Sequence, residues 1–167
     1  MGEEAAPARR EVTARILAFL RGVGIDVAAA PIEGETVLPG IAIRGGRLIF
    51  DPGRLEWPGD LLHEAGHLAV TDPALRATLE EVRDDPGEEM AAIAWSYAAT
   101  VALGLDPAVV FHDHAYGGGP LRMIENFTSG RDVGVPLLHA WDMSGPRPHR
   151  ALPADARPYP HMDRWLR

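Results

Sequence analysis

An α+β architecture follows from three features of this 167-residue sequence. A glycine-centred hairpin signal occupies residues 41–50. A helical repeat of apolar residues begins soon after, at Pro58. An alanine-rich helical stretch starts at Glu88. A small hairpin or sheet packed on two such helices, with no internal repeat, is the pattern of an α+β domain.

Residues 7–23 form the first predicted helix. Val12, Ile16, Phe19 and Leu20 recur at helical spacing between charged residues, and the glycines from Gly22 to Gly24 stop it. From there to Gly40, scattered Pro and Gly predict loop, with room for one short strand. Ile41-Ala42-Ile43-Arg44 and Arg47-Leu48-Ile49-Phe50 are β-prone runs around Gly45-Gly46, a two-residue hairpin turn. After Asp51-Pro52-Gly53, Pro58 is placed to open a helix. Leu61, Ala65, Leu68 and Ala69 continue it, and Thr71-Asp72-Pro73 closes it. A polar helix is expected over residues 74–82. Asp84-Asp85-Pro86-Gly87 breaks the chain and starts the alanine-rich helix, Glu88 to about Leu103, whose small side chains suit close packing. Residues 106–145 read as short helices and loops around Gly117-Gly118-Gly119. Five prolines lie beyond Gly145. Residues 1–144 are therefore expected to form a single domain, and residues 145–167 a proline-rich extended tail, wrapped on its surface or partly disordered.

Composition narrows the function. Hydrophobic residues make up 46% and charged residues 24%, as in globular domains. The 16 basic and 24 acidic residues give a net charge of −8, which argues against a nucleic-acid or anionic-membrane partner. The absence of cysteine excludes disulfides, a cysteine nucleophile and cysteine-ligated metal centres. The first ten residues carry two acids before the first Arg and no apolar core, unlike a secretory signal. The longest apolar stretch, residues 90–105, is interrupted by Ser96, Tyr97, Thr100 and Gly104, and is shorter than the ~20 residues that span a bilayer. The expectation is a soluble cytoplasmic protein.

His63-Glu64-Ala65-Gly66-His67 carries the chemistry. On a helix, residues four apart share a face, so both imidazoles can reach one tetrahedral Zn²⁺. Glu64 then sits beside the metal, where it can take a proton from water. A helix is independently expected at these residues. A catalytic zinc site takes three protein ligands. Glu88 and Glu89 open the alanine-rich helix, and Asp85-Pro86-Gly87-Glu88 fits a capping box with Asp85 as N-cap. That gives Glu88 another role and makes Glu89 the leading third ligand. Glu88, a histidine, an aspartate or no third ligand are the alternatives.

The same residues, His63, Glu64 and His67, followed by Glu89, Ala92, Trp95 and Ser96, resemble the motifs of the ImmA/IrrE-type zincin-like metallopeptidases. The resemblance spans about residues 47–101. It implies a zincin-like fold and a gluzincin-like site, with His63, His67 and Glu89 on zinc and Glu64 as general base. It implies neither a substrate nor a biological role. That family often carries a DNA-binding module, for which this chain has no room.

Other polar residues have competing readings. His112, His114 and Tyr116 form a cluster that reads as a polar loop, with one of them a candidate donor to the oxyanion of a tetrahedral intermediate. In a strand, His112 and His114 could instead share a metal. Asp60 and Asp72 flank the motif helix as capping residues or orienters of a ligand histidine. His139, His149 and His161 read as surface histidines, and Trp57, Trp95, Trp141 and Trp165 as packing residues. The leading functional expectation is a zinc-dependent hydrolase acting on a peptide or protein. The alternative is a zincin-fold metal-binding regulatory protein without turnover.

Overall fold

The computed structural model describes residues 2–116, 119–131, 133–145 and 157–167, and the side chains of these except residues 2–6, 115 and 116. Alternation in the hairpin decides which of its faces enters the core. Strand β2 (Ile41–Arg44) buries Ile41 and Ile43, and β3 (Arg47–Phe50) buries Leu48 and Phe50. The antiparallel register sets Ile41 opposite Phe50 and Ile43 opposite Leu48, so the buried side chains share one face. Gly45 and Gly46 make the turn with φ of +55° and +71°, a region that favours glycine. A short strand, β1 (Val27–Ala29), joins β3 in parallel, giving the sheet order β1-β3-β2. Strand β2 is thus an edge strand.

Helix α1 (Gly2–Gly22) precedes the sheet and buries Ile16 and Leu20 fully. Helix α2 (Asp60–Val70) carries the His63-to-His67 motif, and α4 (Pro86–Leu103) is the alanine-rich helix. These two pack against each other and share the core with the sheet. Their backbones come close at one point. A Cβ on Gly66 would lie 2.8 Å from the Ala92 carbonyl oxygen and 3.2 Å from its Cα. Gly66 and the small residues of α4 therefore set the separation of the two helices. Gly104 closes α4 in the left-handed conformation, its N–H bonded to Thr100 O and Val101 O.

The polar helix expected over residues 74–82 is only one turn, α3 (Pro73–Arg76). Beyond it the backbone is drawn to the hairpin turn. Gly46 N–H donates to Leu79 O at 2.8 Å, Gly45 N–H donates to Glu80 Oε1 at 3.1 Å, and Leu79 is buried. These tertiary bonds replace the next turns of helix. A 3₁₀ turn (Pro107–Val109) and helices α5 (Asp113–Tyr116), α6 (Pro120–Thr128) and α7 (Val135–Ala140) occupy the region expected to hold short helices and loops. Gly117 and Gly118 lie outside the described residues.

The expected surface tail falls partly outside the described residues, at 146–156. Its described end, residues 157–167, has no helix and is packed inward, because its aromatic residues find seats in the core. Tyr159 and Met162 are buried, and the Tyr159 hydroxyl donates to Ala94 O at 2.8 Å. Trp165 lies edge-on to Phe19 and Trp95, with ring centroids 4.9 and 5.4 Å apart, and its carbonyl accepts from Trp95 Nε1. The chain among the described residues is thus mixed α+β with a three-stranded sheet. No helix among them is long and apolar enough to cross a membrane.

The close approach at Gly66 gives a direct test. Gly66→Val forces the α2 and α4 backbones apart, and the expected loss is about 2–3 kcal/mol, the upper part of the range for overpacking a core. Urea unfolding measures it. A variant as stable as the wild type would show that the helices can separate freely.

Candidate metal centre

The geometry starts from two well-held helix segments. On α2, His63 and His67 present their rings edge to face, at an interplanar angle of 90° and with Nε2 atoms 3.3 Å apart. On the first turn of α4, Glu89 faces both. Its Oε2 lies 3.1 Å from His67 Nε2 and its Oε1 3.7 Å from His63 Nε2. Ligand atoms of all three residues fall within 4.8 Å of one another, so the group could hold a metal ion. A tetrahedral ion with bonds of ~2.0–2.1 Å separates its ligand atoms by ~3.3–3.4 Å. The two imidazole nitrogens match that at 3.3 Å, the Glu89 oxygens lie a few tenths of an ångström to either side of it, and two imidazoles with one carboxylate are a suitable donor set for Zn²⁺.

Helix capping separates the two neighbouring glutamates. Asp85 is the N-cap, accepting from Gly87 N–H at 2.8 Å and Glu88 N–H at 3.0 Å. Half of the expected capping box is absent, since the Asp85 N–H donates to Arg83 O instead. The buried Glu88 side chain turns away to accept from Arg83 Nη1 at 2.8 Å. Glu88 therefore anchors the preceding segment, and Glu89 is left facing the histidines.

Burial dominates the electrostatics. It pushes His63 down to about 4, with the neighbouring His67 adding to the effect and Glu89 opposing it. It pushes the Glu64 carboxyl up to about 7, helped by the nearby Glu89 and Asp60 charges and opposed by His67. The hydrogen bond from His67 holds Glu89 below its ordinary value. A neutral imidazole is the form that ligates metal.

The cluster lies in a groove of about 770 Å³ that Glu64 also lines. Strand β2 and residues 80–84 contribute its walls. Among the described residues, His112 and His114 are not part of that lining. His112 has a different partner: its Nε2 lies 2.7 Å from Asp60 Oδ1, both residues are buried, and Trp57 stacks on the ring at 4.4 Å. His114 is exposed beside Trp57, and the Tyr116 side chain lies outside the described residues. Asp60 is thus bound to His112. Asp72 caps α3, accepting from Ala74 N–H at 2.9 Å.

One support was not anticipated. Arg76 donates to the carbonyls of Leu68, Ala69 and Thr71 at the end of α2, and to Arg167 O. The backbone N–H of Arg167 donates to Ala69 O at 2.9 Å. The last turn of the helix that carries His63 and His67 is therefore held from outside. No family model, curated protein or solved structure matches the chain.

Two outcomes test this description. Purified wild type should carry about one zinc per chain, and His67→Ala and Glu89→Ala should each weaken zinc binding by more than about 100-fold, beyond the loss typical of an outer-shell partner. Mass spectrometry and competition with a chelator measure both. Separately, His112→Leu leaves the buried Asp60 unpaired and should cost about 3 kcal/mol in urea unfolding, most of it recovered in the Asp60→Leu/His112→Leu double variant. An unchanged stability in His112→Leu would remove the pair from the structural core.

Proposed function

We propose that the protein is a zinc-dependent hydrolase of peptide bonds with a zincin-like fold. The observation that carries this reading is the convergence of His63, His67 and Glu89 on one point in an open groove, beside a buried Glu64 carboxyl. The resemblance of the same residues to the ImmA/IrrE-type metallopeptidases is a second support.

Zn²⁺, when bound, supplies Lewis acidity toward a carbonyl oxygen and makes water a better nucleophile near neutral pH. The protein supplies the rest. His63 and His67 hold their nitrogens on one face of α2, and Glu89 closes the donor set from α4. Glu64, one residue from His63 and largely shielded from solvent, accepts a proton from the attacking water and returns it to the departing amine. The free edge of β2 offers backbone N–H and C=O groups to an extended peptide, which fixes the scissile bond over the cluster.

Glu64→Gln should keep zinc near one per chain while lowering kcat/KM for peptide cleavage by about 10²–10⁴-fold, the contribution of a general base. Full turnover by that variant would overturn the mechanism. Zinc-loaded wild type that cleaves no member of a broad peptide library would make the protein a metal-binding module instead.

A further inference from the structure

The groove's charges are unevenly committed. Glu80 accepts from Gly45 N–H, and Arg83 is held by Glu88. Glu35, Glu81 and Asp84 also line the groove, are exposed, and make no hydrogen bond or ion pair among the described residues. Arg44 is the one groove-lining cation without such a partner there. Three available carboxylates thus face one available guanidinium. Glu81 and Asp84 both belong to the stretch that runs from the hairpin turn to the start of α4, and line the same groove as Glu89.

Two further observations bear on the occupant, the first that a polar group awaits it and the second that it can be a polypeptide. Glu64 lines the groove, is only 8% exposed, and has no side-chain hydrogen-bond partner among the described residues, so a buried polar group is aimed at whatever enters. The outer edge of β2 is unpaired by any strand of the sheet. A peptide added to that edge alternates its side chains between two faces, so every second one can turn toward the wall.

We propose that the groove selects extended polypeptide segments carrying lysine or arginine, with Glu81 and Asp84 as the carboxylates that receive the basic side chain. This rests on the function proposed above and adds its substrate class. Each contact is a solvent-exposed ion pair, so the preference is modest and sensitive to salt. Two such pairs give a selectivity of about five- to tenfold.

The test uses full-length, zinc-loaded Glu64→Gln and three fluorescent, randomised peptide pools, alike except that one central residue is Lys, Gln or Glu. Anisotropy at low salt should show the Lys pool bound about five- to tenfold more tightly than the Gln pool, and the Glu pool weakest. The advantage should vanish near 0.5 M salt, where screening is nearly complete. It should invert when Glu81→Lys and Asp84→Lys are added, with metal content and circular dichroism reporting an intact fold. Equal binding of the three pools, preference for Glu, or no binding at all would overturn the proposal. Wild-type cleavage of the same pools is measured alongside. A Lys preference in binding without cleavage counts against the hydrolase alone, whereas cleavage without preference counts against the recognition alone.

Discussion

The separation of α2 from α4 is the constraint on which the rest depends. Three ligand atoms can converge only if the first turn of α4 reaches across to the histidines of α2, and the two backbones are nearly in contact one turn away, at Gly66 and Ala92. A larger residue at Gly66 would push the α4 backbone, and Glu89 with it, outward, and a shift of an ångström is enough to disturb such a cluster. The third motif position between the histidines is therefore a packing residue as much as a spacer. The alanines of α4, which cost little side-chain entropy on burial, serve the same end.

The site is assembled against its own electrostatics. His63 and Glu64 are held where burial disfavours their charged forms, which pushes the imidazole down and the carboxyl up. Such a cluster does little for stability by itself. The surrounding structure supplies the rigidity: Asp85 fixes the start of α4, Glu88 ties Arg83 to it, and Arg76 holds the last carbonyls of α2. A group with perturbed ionisation that lines a groove is a candidate for chemistry.

Much of this was legible in the chain. The glycine pair between two β-prone runs located the hairpin, and Pro58 and Pro86 lay near the starts of the two central helices. The four-residue spacing put His63 and His67 together, and the capping pattern at Asp85 separated Glu88 from Glu89. What could not be read depended on contacts distant in sequence. Residues 74–82 look helical in isolation, but hydrogen bonds to the hairpin turn outweigh that propensity. The proline-rich end looks peripheral, yet Tyr159 and Trp165 are drawn into the core by partners on α1 and α4. His112 read as part of a polar loop, and as one of three candidate oxyanion donors, because local sequence gives no sign of Asp60, 52 residues away. Nor does any local pattern mark Arg76 as a cap for α2.

The contacts at the end of α2 also order events in time. Arg167 reaches Val70 O across 97 residues of chain, and Arg76 reaches Arg167 O across 91. Both histidines and Glu89 leave the ribosome long before that partner does. A nascent chain therefore holds all three donors while the carbonyls at the end of their helix still lack the groups contributed by residue 167. The α2–α4 pair can form early, being close in sequence, but the helix is fully clasped only when the last segment has folded back.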